Sequence, residues 1–169
     1  MEILENKKLW LKNILIPVIL GGVVGLIISM FMDYSELNKP PLSPPGFIFG
    51  IVWTILYILM GISYGILDYK NLIDTNTKNI YYLQLFVNLL WPIAFFVFKW
   101  RLFAFIWLLL LVALIVKMII EFFQKDKIAA YLQIPYLLWS IFASYLNIGV
   151  YLLNKWGLHD NEDRKIKRG

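Results

Sequence analysis

The sequence contains no cysteine, which excludes disulfides, thiolate metal sites and cysteine nucleophiles. It has one histidine, His159, in a polar C-terminal segment without companion ligands, so we expect no metal site and no catalytic role for it. Charged residues make up only 16% of the chain, and no aspartate or glutamate lies near the centre of a long apolar run. Intramembrane carboxylates mark proton-coupled carriers and cation channels, so their absence argues against both classes.

Long apolar runs are abundant instead. Hydrophobic residues make up 60% of the chain, above the roughly 45–50% of ordinary globular domains. Runs such as residues 13–31 and 102–118 contain roughly 17–20 almost uncharged residues, enough to cross a hydrocarbon core of about 30 Å. Because that core offers no water to the backbone, helices are the expected spanning form. We predict an all-α integral membrane protein, a bundle of five transmembrane helices.

The predicted spans form one transmembrane domain over residues 1–154, followed by a charged C-terminal tail over residues 155–169. The first apolar run is long and lacks a small-residue cleavage site, so we interpret it as a retained span rather than a signal peptide. Basic residues of the tail are expected to contact lipid headgroups rather than nucleic acid. The five spans cover about residues 9–31, 46–67, 79–98, 102–123 and 128–154.

Prolines mark two places where the helical pattern must change. Four prolines between residues 40 and 45 predict a stiff, extended first loop, because each fixes its own φ and disfavours helix in the preceding residue. Ser43 is the expected N-cap of the second span, with Pro44 in the first turn. Pro135 is expected to bend the fifth span.

The third span carries amide side chains on one face. Gln84, Asn88 and Trp91 are spaced three or four residues apart, so they share a helical stripe. Amides are costly in lipid unless they bond to another helix, so this stripe should face the bundle interior. Two roles stay open, hydrogen bonding between helices and lining a polar part of a ligand cavity.

Aromatic and small residues pattern the second and fifth spans. Trp53 and Tyr57 share a face of the second span, and the spacing of Gly61 and Gly65 permits close helix approach. Trp53 is too deep to be only a headgroup anchor, and Trp139 occupies an equivalent place in the fifth span. Bundle packing explains any one of these rings. Two inward tryptophans beneath a rigid loop favour a pocket for a flat, hydrophobic ligand.

Three segments carry a family resemblance. They are PPLSPPGFIFGIVWTILYILMG at residues 40–61, QLFVNLLWPIAFF at residues 84–96 and PYLLWSIFASYLN at residues 135–147. Their order and spacing resemble the TspO/MBR family, the tryptophan-rich sensory proteins and mitochondrial translocator proteins. The resemblance implies a five-helix bundle, often dimeric, that binds porphyrins such as protoporphyrin IX, and also haem, isoquinoline drugs or sterols.

The resemblance also implies site residues. Trp53 and Trp139 would flank the ligand. Phe103 stands where many members have a tryptophan at the start of the fourth helix, and we include it among the candidate contacts. With the stripe Gln84, Asn88 and Trp91, the remaining ligand-binding candidates are Tyr57, Phe142, Ala143 and Leu146.

The expected function is therefore to sense, buffer or move a porphyrin, with no required cofactor, in a multi-pass protein of a bacterial cell membrane. The alternative is an enzyme that degrades protoporphyrin in light and oxygen, with Trp53 and Trp139 as the candidate catalytic residues. A third interpretation is passive transport of a lipophilic ligand. The expected partners are membrane lipid, the small molecule and a second copy of the chain, with no nucleic acid.

Overall fold

The computed structural model describes the backbone of residues 2–32 and 34–166 and the side chains of residues 6–32 and 34–155. A 3-10 turn, Tyr34–Glu36, lies in the first loop, and a π-helical turn, Ile93–Val97, extends the third span. Most of the tail predicted over residues 155–169 lies outside the described side chains. The α-helices are α1 (Glu2–Ser29), α2 (Gly46–Tyr69), α3 (Thr75–Pro92), α4 (Arg101–Phe123), α5 (Lys127–Tyr131) and α6 (Ile134–Ile166).

Five helical stretches in the described part of the chain are long and apolar enough to cross a membrane. The predicted number of spans and the all-α class are confirmed. The third stretch begins at Thr75, earlier than predicted, because the Asp74 side chain caps it by accepting from the Thr77 amide at 2.8 Å. Consecutive spans alternate in direction, so α3 and α6 run the same way through the bundle.

The second span starts differently from the prediction. Ser43 is not its N-cap: its hydroxyl donates to the Pro40 carbonyl at 2.7 Å, and the helix begins at Gly46. Pro45, at the N-cap position, is extended, with φ −55° and ψ 146°. The residue before a proline avoids the helical region, so two consecutive prolines delay the helix until both have passed.

The fifth span is interrupted rather than gently bent. It consists of the short α5 and the long α6, separated by Leu132 and Gln133. Pro135 has no N–H to bond to the carbonyl four residues earlier, and that carbonyl belongs to Tyr131, the last residue of α5. The structure thus has a break before Pro135 where the sequence predicted a bend.

Close contact between α1 and α2 depends on two small residues. A Cβ on Gly61 would lie 2.5 Å from Ile14 Cα and 2.6 Å from the Asn13 carbonyl oxygen, and one on Gly65 would lie 2.9 Å from the Trp10 ring. The close helix approach predicted from the glycine spacing is confirmed. Pro17, which lies inside α1, leaves the same Asn13 carbonyl without its intrahelical donor.

The helices form a ring in which α1 packs against α2, α2 against α5, α4 against both α5 and α6, and α3 against α4 and α1. The first loop, described over residues 34–45, is fastened to α6 at one end of this ring. Asn38 and Asn154 exchange two hydrogen bonds of 3.1 and 2.8 Å, and the Tyr145 hydroxyl donates to the Pro41 carbonyl at 2.9 Å. The loop therefore ties the fifth span to the first two.

Candidate functional site

A recess of about 180 Å³ lies between α1, α2 and α3. We call it the α1 recess. No ionisable side chain lines it, apart from the phenol of Tyr57. Its wall consists of Val18, Gly21, Gly22, Val24, Gly25 and Ile28 from α1, Phe49, Gly50, Trp53, Thr54 and Tyr57 from α2, and Asn88, Trp91, Pro92 and Phe96 from the third span.

Trp53 is the centre of the aromatic wall of the α1 recess. Its ring centroid lies 5.9 Å from Tyr57, 6.1 Å from Trp91 and 6.2 Å from Tyr136. Tilted and edge-on contacts at these distances are favourable for aromatic rings. Trp53 is half-buried, while Tyr57 and Trp91 are buried. The indole is thus supported from three sides and leaves one face toward the recess.

Tyr57 and Asn88 form the polar inner wall of the recess and begin a hydrogen-bond network that continues behind it. The Tyr57 hydroxyl donates to Asn88 Oδ1 at 2.7 Å, Asn88 Nδ2 donates to the Tyr136 hydroxyl at 3.0 Å, and that hydroxyl donates to Gln84 Oε1 at 2.8 Å. Both amides predicted to face inward are buried, and both bond across helices. Of the two roles left open, Gln84 has the interhelical one, whereas Asn88 has that role and also lines the recess.

Glycines form the outer rim of the α1 recess. Gly22, Gly25 and Gly50 are exposed, and a Cβ added to any of them would meet no atom within 4 Å. Gly21 is different, because a Cβ there would lie 2.1 Å from the Tyr57 ring. The recess therefore opens between α1 and α2 toward the surface that faces lipid, and the missing side chains keep this mouth clear.

Trp139 lies in a separate place. It lines an outward groove of about 390 Å³ between α2 and α6, which we call the α6 groove. Phe49 stands between the two tryptophans: it lines the α1 recess, and its ring centroid lies 5.9 Å from Trp139. The structure thus places Trp53 and Trp139 in different recesses rather than in one hollow, with Phe49 in contact with Trp139 and in the lining of the recess that contains Trp53. The groove is lined by Val52, Ile55, Leu56, Leu59, Pro135, Leu138, Trp139 and Phe142.

The other residues predicted to contact the ligand lie in different parts of the structure. Phe142 lines the α6 groove. Ala143 and Leu146 line a third, narrow cleft of about 20 Å³, which also touches Phe49 and Trp91. Phe103 lines none of these three recesses, is 47% exposed and packs on Trp107 at 5.6 Å. It faces outward because α4 buries its opposite side, with Ala104, Leu108 and Leu111 fully enclosed.

Several residues of the site were not among those predicted. Tyr136 is fully buried and joins Asn88 to Gln84, and its position three residues before Trp139 is a signal that could have found it. The contribution of α1 was also missed. Its signal is the cluster Gly21, Gly22 and Gly25 in an otherwise bulky apolar run.

A fourth hollow lies above the site, under the first loop. It has a volume of about 490 Å³ and contains Lys39 among its lining residues. The Lys39 ammonium donates to the Tyr34 carbonyl at 3.0 Å and lies 4.7 Å from the centre of the Tyr34 ring. Tyr34 also lines the narrow cleft. The Lys39 ammonium thus places a positive charge at the loop end of the aromatic site. The described residues include no cluster of metal-ligating side chains.

These features define a multi-pass integral membrane protein with an aromatic recess that opens toward lipid. The sequence profile of the TspO/MBR family matches residues 13–153, and the chain belongs to this family. A tryptophan-rich protein TspO of Archaeoglobus fulgidus is 37% identical over 124 residues, which cover 72% of this chain and 79% of the relative.

Eukaryotic relatives are similar over a larger share of the chain. The translocator protein homolog of Schizosaccharomyces pombe is 33% identical over 153 residues, covering 87% of this chain and 93% of the relative. The translocator protein of Ovis aries is 33% identical over 144 residues, covering 82% and 80%. The family recognised from the three sequence segments is confirmed.

Proposed function

We propose that the chain binds a flat, lipophilic tetrapyrrole such as protoporphyrin IX at the α1 recess, and so senses, buffers or passively moves it within the membrane. The observation that carries this proposal is the position of Trp53, which is supported by Tyr57, Trp91 and Tyr136 and faces a glycine-edged mouth. Aromatic walls suit flat rings, because stacked rings bury much area with little loss of freedom.

The size of the recess decides how the ligand would sit. Pockets that enclose a drug-sized ligand measure about 300–1,000 Å³, whereas the α1 recess measures about 180 Å³. A tetrapyrrole would therefore enter edge-first between Gly22 and Gly50 and keep its other edge among acyl chains. The carboxylates of the ligand would lie toward the loop end, where Lys39 supplies a cation.

Titration of the purified protein with protoporphyrin IX, read by tryptophan fluorescence, tests this function. We expect quenching at micromolar ligand and weaker binding by Trp53→Phe. Loss of one stacking partner should cost about 0.5–1.5 kcal/mol, a factor of about 2–12 in affinity. Trp139→Phe should have a smaller effect alone, because Trp139 lines a different recess.

The matched control is Trp100→Phe, which changes an indole that is 59% exposed and lines none of the recesses described above. Its affinity should equal that of the unaltered protein. The proposal is wrong if no quenching occurs at micromolar ligand, or if Trp53→Phe and Trp139→Phe together bind like the control.

The same arrangement supports a second candidate function, light- and oxygen-dependent degradation of the porphyrin. Trp53 and Trp91 lie 6.1 Å apart between ring centroids, so a radical cation formed on Trp53 would be shared with a neighbouring ring. The excited ligand would take an electron from Trp53 and pass it to dioxygen. The superoxide formed would add to the ligand, and the oxygenated ligand would return one electron to the indole, so that dioxygen is the oxidant and the tryptophans are restored. Porphyrin absorbance should then decay in the lamp but not in darkness, and more slowly in Trp53→Phe. Equal decay in protein-free micelles would reject this activity.

Association of two copies, implied by the family, is also part of the proposal. The mass of the protein in detergent, from light scattering on a sizing column with the detergent mass subtracted, distinguishes the two states. A mass twice that of one 19.9 kDa chain supports a dimer. A single-chain mass at all concentrations would contradict it.

A further inference from the structure

Asn147 of α6 is a buried amide that bonds to two other helices at once. Its side chain is 1% exposed. Asn147 Oδ1 accepts a hydrogen bond from Trp91 Nε1 of α3 at 3.0 Å, and Asn147 Nδ2 donates to the carbonyl of Arg101, the first residue of α4, at 2.7 Å. Since α4 packs against both α3 and α6, this one amide joins three helices at a single level of the bundle.

The two partners of Asn147 require the chemistry of an amide. An indole nitrogen only donates and a backbone carbonyl only accepts, so a side chain that serves both needs an acceptor and a donor. Asparagine supplies the two on one short, uncharged group. A charged side chain at this buried place would be costly to remove from water, and an apolar one would leave the Trp91 N–H without this acceptor.

The partner of Asn147 in α3 is a ring of the candidate site. Trp91 is 5% exposed and lines both the α1 recess and the narrow cleft. Its ring centroid lies 6.1 Å from that of Trp53 and 6.1 Å from that of Phe95. The orientation of this indole therefore shapes the wall that supports Trp53 and the boundaries of two hollows.

The bond to Asn147 selects one orientation of the Trp91 indole. The torsion that turns an aromatic ring about its bond to Cβ has broad, roughly two-fold minima, so apolar packing discriminates weakly between a ring and its flipped form. A flip would move the ring N–H away from the Asn147 oxygen, and a buried donor without a partner costs free energy. Asn147 therefore adds a directional restraint that packing alone does not provide.

We propose that Asn147 is a positioning residue for ligand binding, which holds the Trp91 indole in the orientation that supports Trp53 and so raises the affinity of the α1 recess for a flat ring. The inference rests on the proposed function, because it names a residue that acts on the same site. Asn147 lines the narrow cleft rather than the α1 recess. It acts through Trp91 and not by touching the ligand in the recess.

Nuclear magnetic resonance of the ring N–H groups reports this bond without any ligand, because each tryptophan gives one resonance. The Trp91 resonance is identified by its loss in Trp91→Phe. Asn147→Leu should shift it upfield, since a hydrogen-bonded proton resonates downfield of a free one, and should also move the resonance of the neighbouring Trp53. Trp10, which lies beside Tyr69 at the other end of α2, is the internal reference and should not move.

Protoporphyrin titration measures the effect of the same change on the site. Asn147→Leu should weaken binding by a factor of about 2–12, the range expected for the loss of one stacking partner. Asn79→Leu makes the same substitution at an exposed position of α3, and Ser144→Ala removes a buried α6 hydroxyl that donates to the Ser140 carbonyl at 2.9 Å. Both controls should keep the Trp91 resonance and the affinity of the unaltered protein.

A double-mutant cycle shows whether Asn147 acts through Trp91. Trp91→Phe has no ring N–H to hold, so adding Asn147→Leu to it should lower the affinity by less than about a further twofold. Losses that simply multiply would overturn the proposal, because Asn147 would then act on the site by another route.

Asn147→Asp is a milder second variant. It keeps an oxygen acceptor and the shape of the side chain, so the Trp91 resonance should stay near its original position, whether or not Asn147→Leu folds. A displaced resonance in Asn147→Asp would contradict the proposal. Failure of the unaltered protein to bind protoporphyrin would reject the proposed function itself, whereas unchanged affinity in Asn147→Leu would reject only the role of Asn147.

Discussion

The two ends of the bundle are built differently. Near the first loop, the α1 recess, the narrow cleft and the hollow under the loop leave space among Trp53, Phe49 and Tyr34. At the opposite end, Gly61 of α2 touches the α1 backbone, and the Ser63 hydroxyl donates to the Ala129 carbonyl at 2.6 Å. We call these the loop end and the base end.

Ion pairs reinforce the base end. Lys125 contacts Asp74 at 2.5 Å, and Lys70 contacts Asp126 at 2.5 Å, so the two loops there are joined by two bridges. Each aspartate also caps the helix that follows it. A membrane bundle can thus keep a hollow end in place by packing and capping the other end closely.

The largest expected effect comes from placing the same methyl group at each end. Gly61→Ala puts a Cβ 2.5 Å from the Ile14 backbone, so α1 and α2 must separate. Overpacking of this kind costs about 1–3 kcal/mol. Gly22→Ala adds its methyl in open space at the loop end and should be neutral or stabilising by up to about 1 kcal/mol, because alanine favours helix. Thermal unfolding of both variants in one detergent measures the difference in stability. Equal Tm values would show that the base end is not packed more closely than the loop end.

Removing the Phe49 ring, which lies between the α1 recess and Trp139, should change ligand binding. Phe49 separates the α1 recess from Trp139, with ring centroids 5.9 Å apart. Phe49→Ala should join the two spaces and strengthen protoporphyrin binding severalfold, at a stability cost of up to about 3 kcal/mol. Fluorescence titration and thermal unfolding measure both effects. Phe86→Ala, at an outward position that is 57% exposed, is the control and should change neither. Weaker binding by Phe49→Ala would show that Phe49 is a contact rather than a partition.

Filling the opening of the α1 recess should lower ligand affinity without changing the stability of the protein. Gly22→Leu fills open space at the rim, so the Tm should stay within about 2 °C, a shift worth less than about 1 kcal/mol. Affinity for protoporphyrin should fall by about tenfold, which corresponds to about 1.4 kcal/mol. Ala113→Leu adds a similar side chain at an exposed position of α4 and serves as the control. If Gly22→Leu binds like Ala113→Leu, the ligand does not enter between α1 and α2.

The smallest expected effect is a pH dependence of the base end. The Lys125 ammonium, followed by the Thr77 amide, holds the pKa of Asp74 below its usual range, and Lys70, followed by the Ala129 amide, lowers the pKa of Asp126. An aspartate whose pKa is lower in the folded than in the unfolded protein stabilises the fold at pH values above its unfolded pKa of about 3.9. That stabilisation is lost as pH falls below this value.

The effect should be modest, because exposed ion pairs are weak. Thermal unfolding at pH 6 and pH 3 measures it, and the drop in Tm should be smaller in Lys70→Met with Lys125→Met. Lys78→Met, at an exposed position outside both bridges, should keep the full drop. Identical pH profiles in all three proteins would show that the bridges do not stabilise the base end.

The order of the residues was sufficient to predict the helical class, the five spans and the inward stripe of α3, because apolar length and helical periodicity depend on nothing else. The sequence also predicted that two helices approach closely at Gly61, because a glycine lets two helix backbones come nearer to each other than a bulky side chain does. The motif segments were sufficient to identify the family.

The rotation and offset of the helices against one another follow from tertiary packing and could not be predicted. Periodicity assigns Trp53 and Trp139 to inward faces, but it does not say that Phe49 lies between them. It also could not turn Phe103 outward or bring Tyr136 to Gln84, because these positions follow from contacts between spans far apart in the chain. The sequence of a helix defines which of its faces is apolar, whereas the packing of the whole bundle determines which helices it contacts.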